Sequence, residues 1–181
     1  DISKWDTSNV KDMSNMFEQN RVFNQDINTS VQTRIGANGN DEKYLAWDTK
    51  NVTTMSGMFK ITTSFNGEVS NLNTSNVTDC SNMFQENTKF NKQLGEKEVD
   101  FSSDGFKYTA WDTSNVTKMS AMFYQAHEFN NGSTDVYGNS SSEPLNPLLF
   151  NLSSCTSLAV MFDQCRKFNS PIYHWKNTGN I

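Results

Sequence analysis

The stretch AWDTSNVTKMSAMF, residues 110–123, decides the fold because it recurs along the chain. Close copies stand at 46–59 (AWDTKNVTTMSGMF) and 4–17 (KWDTSNVKDMSNMF), and two more divergent copies align with them. Repetition at a fixed period predicts a stack of similar units, since a unit of this length cannot bury its own apolar side chains. The columns that the copies share therefore identify the residues that stabilise the stack.

Five full copies align without gaps when the tryptophan of AWDTSN is taken as position zero. The zero positions are Trp5, Trp47, Leu72, Trp111 and Phe150, and a partial sixth copy begins at Trp175. Position 12 is phenylalanine in every full copy: Phe17, Phe59, Phe84, Phe123 and Phe162. Position 19 is always asparagine: Asn24, Asn66, Asn91, Asn130 and Asn169. We predict that the rings lie one above another in a shared interior, and that the amides connect neighbouring backbones because an amide both donates and accepts.

Insertions lengthen some of the repeats at one corner. Uninterrupted copies are 25 residues apart, as from Trp47 to Leu72, whereas the other intervals are 42, 39 and 39 residues. The added residues, each set before a zero position, are 29–46, 95–110 and 132–147. The first two inserts place glycine-bearing turns between residues that favour strands, which predicts β-hairpins. The third is rich in serine, glycine and proline, which predicts a loop.

The local signals within one copy predict a short strand, a turn and a short helical segment. Met13, Met16 and Phe17 have the spacing of one face of a helical turn, and Ser14 is placed to cap it. The segment FNGEVSNLN, residues 65–73, is expected to be extended with its apolar residues facing inward. We therefore predict that residues 1–181 form a single repeat solenoid of about five repeats, with β-hairpin inserts at one corner.

The motif WDTSNVTKMSAMF, followed by FN, resembles the repeat of bacterial surface proteins that are often called BspA-like and are abundant among mycoplasma lipoproteins. The resemblance covers the five copies and leaves the inserts out, and the fifth copy (FNLSSCTSLAVMF, 150–162) lacks the tryptophan, aspartate and valine. It implies a leucine-rich-repeat-like solenoid with a role in adhesion or host contact. It also implies an extracellular or cell-surface location, with anchoring through a part of the parent protein outside this chain.

Composition argues against several classes of function. The net charge is -5 and the chain has no run of lysine or arginine, so we expect no nucleic-acid partner. No stretch approaches the ~20 apolar residues that cross a bilayer, so we expect no transmembrane segment in this chain. Hydrophobic residues make up 35% of the chain and the mean hydropathy is -0.68, which is low for the core of a globular enzyme.

Residues capable of catalysis do not converge on one site. Asp6, Asp48 and Asp112 recur at position 1 of their copies, where turn chemistry explains them. His127 and His174 lie in different copies, without a serine or cysteine nucleophile in an elbow motif. We therefore expect no enzyme activity, no catalytic residue, no metal-ligating residue and no cofactor.

The three cysteines do not have the spacing of a zinc or redox site. Cys80 and Cys155 replace methionine and valine in apolar columns, so we expect both to be buried as small hydrophobic residues. Cys165 falls in a mixed column. A disulfide between Cys155 and Cys165 stays open, because the geometry of the two side chains decides it.

The inserts distinguish one repeat from another, and in repeat proteins partners bind along such a ridge or along the face of the array. Four aromatic residues on the inserts are candidate contact residues: Tyr44, Phe106, Tyr108 and Tyr137. The alternative is that they pack the hairpins onto the coils. We expect a non-enzymatic adhesion module that binds a protein or glycan on a host or neighbouring cell.

Two other functions stay open. Self-association by end-to-end stacking would make the chain a structural segment of a filament or cell-surface sheath, since neither end shows a polar capping unit. The oxygen-rich stretches NQDIN (24–28) and STDVYGN (133–139) suit a glycan- or calcium-binding module. Neither stretch has the twelve-residue loop of a calcium hand, so a structural turn is the preferred interpretation.

Overall fold

The structure is a computed structural model that describes residues 1–134 and 145–175. Its regular strands are β1 (Ser30–Ile35), β2 (Asp41–Ala46), β3 (Lys97–Phe101) and β4 (Phe106–Ala110). The strand β1 pairs with β2, and β3 pairs with β4, both antiparallel, and a 3₁₀ turn at Ser102–Asp104 joins the second pair. The hairpins predicted from the first two inserts are therefore present, while the third insert lies partly outside the described residues.

The predicted fold class, a leucine-rich-repeat-like solenoid of short strands and short helical turns, is wrong. The described part of the chain has no α-helix, and its only regular strands are those of the two hairpins. Among these residues there is accordingly no helix that is long and apolar enough to cross a membrane. The segment expected to be helical consists of turns over residues 14–19, and the stretch 65–73 is not a regular strand. The Ser14 hydroxyl hydrogen-bonds to that of Thr54 at 3.0 Å instead of capping a helix.

Left-handed backbone residues explain why the helix does not form. In the first copy Asn15 has a φ of 57° and Gln19 a φ of 61°, and residues in this conformation do not continue a right-handed helix. The Glu18 amide closes a turn onto the Asn15 carbonyl at 3.0 Å, whereas the Phe17 amide donates to the Met58 carbonyl of the next copy at 2.9 Å. Equivalent left-handed residues recur in the later copies: Gly57, Ile61, Asn82, Glu86, Ala121, Gln125, Val160 and Gln164.

Each copy forms one layer of the fold, hydrogen-bonded to its neighbours. Layers 1 to 5 run from the zero position to position 19 of each copy: residues 5–24, 47–66, 72–91, 111–130 and 150–169. The position-12 amide of each of the first four layers donates to the following layer at 2.9 Å, as from Phe59 to Met83. Isolated parallel bridges join the same layers: Asp12–Thr54, Thr54–Asp79, Asp79–Lys118 and Lys118–Ser157. The layers are therefore stacked in register.

Two columns of phenylalanine rings form the middle of the core. Along the position-12 column, from Phe17 to Phe162, neighbouring ring centroids are 5.3–5.6 Å apart. The position-18 column, from Phe23 to Phe168, has spacings of 5.5–5.9 Å, and within each layer the two rings stack at 3.9–4.2 Å. In layers 2 to 4 all these rings are fully buried, so the repeats share one continuous core.

Candidate partner-binding surface

The asparagine column connects the layers at one corner. The Asn66 amide donates to the Oδ1 of Asn24 at 2.8 Å, and the Asn91 amide donates to the Oδ1 of Asn66 at 2.9 Å. The backbone amides of Asn130 and Asn169 repeat the contact, each 2.8 Å from the Oδ1 of the preceding asparagine. Each side chain thus supplies an acceptor to the backbone of the next layer, so the column connects layer to layer.

Threonines at position 2 make a second set of contacts between layers. Their hydroxyls donate to a carbonyl of the following layer at 2.7–3.0 Å. The four residues are buried: Thr7, Thr49, Thr74 and Thr113. A buried hydroxyl that did not donate would carry a desolvation cost, so these contacts stabilise the stack.

The aspartates at position 1 act within their own turns. The Oδ1 of Asp6 accepts from the Ser8 amide at 3.0 Å, and the same contact recurs for Asp48 and Asp112 at 3.1 and 3.0 Å. Hydrogen bonds from Ser8, first from its side chain, hold the pKa of Asp6 below its ordinary value. The recurring aspartates are therefore turn residues, spread over three layers and not gathered at one site.

Two of the aromatic residues singled out in the sequence hold the hairpins against the stack. The Tyr44 hydroxyl donates to the Lys4 carbonyl at 2.8 Å, and the Tyr108 hydroxyl donates to the Asn71 carbonyl at 2.6 Å. Lys4 and Asn71 both precede a zero position, so the two contacts are equivalent. Burial raises the pKa of Tyr108 to about 12. These hydroxyls are engaged within the chain, so both tyrosines fix their hairpins to the stack.

The two hairpins approach each other, since no insert lies between layers 2 and 3 and the first and second inserts are therefore neighbours along the corner. Lys43 on β2 has its Nζ 3.8 Å from the Oδ1 of Asp104, in the turn of the second hairpin. A small cleft of about 170 Å³ lies between them, bordered by Phe106, Tyr108 and Lys50. Phe106 is half-buried and borders this cleft, whereas Tyr137 lies outside the described residues.

A larger cleft of about 430 Å³ lies at the base of the second hairpin. Its walls come from residues 91–97, from Glu68 and Ser70, from both ends of the third insert (Gly132, Asn146 and Pro147) and from Leu149. The Nζ of Lys92 lies 2.7 Å from the Oε1 of Glu68, and the Nζ of Lys97 donates to the Ser70 hydroxyl at 3.0 Å. The cleft therefore presents both signs of charge together with hydroxyl and amide groups.

Partial burial alters the charged groups at the mouth of this cleft. Burial lowers the pKa of Lys97 and raises the pKa of Glu96. Both shifts mean that the charged forms are poorly hydrated in the free protein. A polar ligand that hydrogen-bonds to these groups would replace part of the missing water.

The stretch 24–28, which the sequence offered as a source of calcium ligands, has its side-chain oxygens engaged by backbone amides. The Oδ1 of Asp26 accepts from the Glu68 amide at 2.8 Å, and the Oδ1 of Asn28 accepts from the Asn71 amide at 2.6 Å. Most of the other stretch, 133–139, lies outside the described residues. Within residues 1–134 and 145–175, no three His, Cys, Asp or Glu side chains are grouped to hold a metal ion.

The cysteines are all free, so the open question of a Cys155–Cys165 disulfide is answered against it. Cys80 and Cys155 are buried in the core, and burial raises the pKa of Cys80 to about 12. The Cys165 thiol donates to the Ala126 carbonyl at 3.1 Å, and burial raises its pKa to about 12 as well. Thiols with raised pKa values are poor nucleophiles at neutral pH.

The cleft residues were not among the candidates read from the sequence. Glu68, Lys92 and Lys97 lie after position 19 of their copies, in the connecting segments that differ from one repeat to the next. No motif marks them. Only the position of the inserts could have indicated the cleft, because inserts at a shared corner bring segments of different sequence side by side.

Comparisons with known proteins place the chain in a family. A family model described as a Mycoplasma protein of unknown function, DUF285, matches residues 1–38, 32–143 and 108–181. The three matches overlap and together span the chain, as expected for a repeated sequence. No curated protein matches the chain, and no solved structure does. The chain thus belongs to DUF285, a family of Mycoplasma proteins of unknown function.

Proposed function

We propose that this chain is a non-enzymatic binding module, displayed on the cell surface, that attaches to a protein or glycan of a host or neighbouring cell. One observation carries the proposal: the asparagine, threonine and aspartate columns are used between or within layers, whereas the polar groups of the insert corner line an open cleft. The resemblance of the repeat to BspA-like surface proteins supports the surface location.

The lining of the 430 Å³ cleft favours a polar ligand of low net charge. Lys92 forms an ion pair with Glu68, and Glu96 and Lys97 also line the cleft, so its walls carry groups of both signs. Such a surface offers donors and acceptors together, as hydroxyl groups of a glycan or a peptide backbone require. A nucleic acid would instead select a positive surface.

The hairpins supply a second contact surface next to the cleft. Ile35, at the end of β1, is 69% exposed, and the Asn38–Asn40 turn beyond it is exposed as well. Because Tyr44 and Tyr108 hold the hairpins against the layers, these tips are presented at fixed positions. A partner that meets such preorganised groups loses less conformational entropy when it binds.

Deleting the inserts tests the proposal, because Ser30 and Ala46 are cross-strand partners and lie close enough to be rejoined. We expect that chains lacking 31–45 or 132–147, and the Lys97→Ala chain, keep the fold and lose attachment to host cells or to a glycan array. Lys89→Ala is the matched control, since Lys89 is exposed and does not line the cleft. Undiminished attachment by all three altered chains would overturn the proposal.

A further inference from the structure

The segments 51–53, 76–78 and 115–117 all have the sequence Asn-Val-Thr and occupy positions 4 to 6 of layers 2 to 4. In each segment the valine is fully buried, whereas the asparagine is exposed and the threonine is exposed or half-buried. Layer 5 continues the pattern with Ser154, the buried Cys155 and the exposed Thr156. We name the outward surface of positions 4 and 6 in these four layers the NVT face. Its residues line neither of the clefts described above, so it is a separate surface.

The hydrogen-bond donors of the NVT face are used inside the stack. Each asparagine Nδ2 donates to a carbonyl of the preceding layer at 2.6–2.8 Å, in Asn51, Asn76 and Asn115. Each threonine hydroxyl donates to the position-6 carbonyl of the preceding layer at 3.0–3.2 Å, in Thr53, Thr78, Thr117 and Thr156. The three asparagine Oδ1 atoms accept no hydrogen bond from residues 1–134 and 145–175, and each hydroxyl oxygen can still accept one. The face therefore presents acceptor oxygens in fixed positions.

The NVT face carries no charge and no large apolar group. Positions 4 and 6 of layers 2 to 5 hold only asparagine, serine and threonine. The charges beside them are paired, since the Nζ of Lys50 lies 3.1 Å from the Oδ2 of Asp48 and the Nζ of Lys118 lies 3.7 Å from the Oδ2 of Asp79. An anionic polymer needs unpaired positive groups, and the core of a protein interface needs aromatic or other apolar groups. The face instead suits an uncharged ligand that is rich in hydrogen-bond donors.

The acceptors of the NVT face recur at a regular interval along the stack. Isolated parallel bridges join the position-7 residues of neighbouring layers, as between Thr54 and Asp79 and between Asp79 and Lys118. Layers paired in this way are separated by about 4.8 Å, the spacing of neighbouring β-strands. A ligand that fills the face must therefore present donors at nearly the same interval.

We propose that the NVT face binds a linear, uncharged, β-1,4-linked glycan that lies along the stack with about one sugar ring on each layer. Each ring of such an extended chain advances by nearly the separation of two layers and has hydroxyl groups at both edges. These hydroxyls donate to the asparagine Oδ1 atoms and the threonine oxygens, which have no donors of their own to spare. Because the acceptors are already held by bonds within the stack, little conformational entropy is lost on binding. The site goes beyond the adhesion function proposed above and does not depend on the cleft.

Titration of the whole chain with cello-oligosaccharides of increasing length tests the proposal by calorimetry. We expect the affinity to rise with each added ring up to about four and then to level off, because four layers form the face. The NMR signals of the Asn51, Asn76 and Asn115 side-chain amides should shift on binding. Malto-oligosaccharides of the same length have α-1,4-linked rings that follow a curved path. They should bind at least about tenfold more weakly.

Substitutions at Thr78 place the ligand on the face. Thr78→Val removes one acceptor and should lower the affinity about threefold to tenfold, whereas Thr78→Arg covers the middle of the face and should abolish binding. Thr88→Val is the matched control, because the Thr88 hydroxyl donates to the Thr63 carbonyl of the preceding layer but lies outside the face. Lys97→Ala, which alters the cleft, should leave this binding unchanged. Melting curves establish that each altered chain is folded.

Three results would overturn the proposal: no binding of cello-oligosaccharides at any length, equal binding of malto-oligosaccharides, or undiminished binding by folded Thr78→Val and Thr78→Arg chains. Loss of binding in Lys97→Ala alone would put the glycan in the cleft, which rejects the NVT face and leaves the adhesion proposal standing. Conversely, a chain that binds cello-oligosaccharides through Thr78 and keeps its attachment to host cells after the inserts are deleted would reject the adhesion proposal and support the NVT face.

Discussion

The backbone amide of Asn91 lies directly over the side chain of Asn66, one layer away, and donates to its Oδ1 at 2.9 Å. The Asn91 Oδ1 in turn accepts from the amides of Asn130 and Gly132 at 2.8 and 3.0 Å, and its Nδ2 donates to Ser133. One side chain therefore satisfies three backbone groups at the corner where the third insert begins.

Asn91→Ala removes the three contacts of the Asn91 side chain at once and keeps the backbone contact to Asn66. Each polar group left without a partner costs about 1–3 kcal/mol, so we expect the free energy of unfolding to fall by at least about 2 kcal/mol. Asn24→Ala is the control at the same position of layer 1, because Asn24 is exposed and accepts from Asn66 alone. Urea denaturation measures both, and an Asn91→Ala chain no less stable than Asn24→Ala would contradict this role.

Phe84 is the central ring of the core. It is fully buried and stacks on Phe59, Phe90 and Phe123 at 5.3, 4.1 and 5.6 Å. We expect Phe84→Ala to lower the free energy of unfolding by about 3–5 kcal/mol, since the layers above and below cannot close the cavity. The same change at Phe168, which is half-buried in layer 5, should cost less. Equal losses at the two positions in a denaturation series would argue against a continuous core.

Asn87 is fully buried, and within the described residues neither its Oδ1 nor its Nδ2 has a hydrogen-bond partner. The equivalent residue of layer 2 is Thr62, whose hydroxyl donates to the Phe17 carbonyl at 2.8 Å. We expect Asn87→Thr to raise the free energy of unfolding by about 1–2 kcal/mol, because it replaces two unsatisfied polar atoms by one that can donate.

Thermal denaturation of Asn87→Thr checks this expectation. Asn20→Thr provides the comparison at the exposed position of layer 1, where little change is expected. A lower melting temperature for Asn87→Thr than for the unaltered chain would show that the buried amide has a favourable role.

Asp100 gives the second hairpin a dependence on pH. Hydrogen bonds from the Ser102 side chain and amide, and then from Lys107, lower the pKa of Asp100 from 3.8 to about 2. A lowered folded-state pKa stabilises the hairpin above pH 3.8, and the contribution is lost as the pH falls through about 2. We expect an NMR titration of the Asp100 carboxyl to have its midpoint near 2, and Asp100→Asn to remove this pH dependence of β3–β4. A midpoint at 3.8 would mean that these bonds do not form.

The columns and the hairpins could be read from the sequence because both depend on local or repeated signals. Every copy has a phenylalanine at position 12, as at Phe84, and these rings can be buried together only if the copies stack in register. A glycine-bearing turn between two segments that favour strands predicts a hairpin without reference to the rest of the chain.

The path of the backbone could not be predicted in the same way. The spacing of Met13, Met16 and Phe17 fits one face of a helix, yet it also fits overlapping turns. The left-handed conformation of Asn15 and Gln19 produces turns instead of a helix. Neither residue is a glycine, so the sequence did not indicate this conformation. The backbone amides of Asn15 and Gln19 donate to carbonyls of the next layer. The sequence of one copy alone does not indicate these partners.

The cleft could not be predicted from the sequence for another reason. Its walls come from Glu68 and Ser70, from 91–97 and from Asn146, which are distant in sequence and belong to segments without a shared pattern. Their proximity depends on which layers carry inserts. Only the three-dimensional stack brings them to one place.

In each of the first four layers the position-12 amide bonds to the next layer and not to its own turn. Measuring the scalar coupling across the hydrogen bond of Phe59 by NMR tests this most directly. We expect a coupling between the Phe59 amide nitrogen and the Met83 carbonyl carbon, since these groups are hydrogen-bonded at 2.9 Å. A coupling from Phe59 to Met55, four residues earlier as in an α-helix, would contradict it.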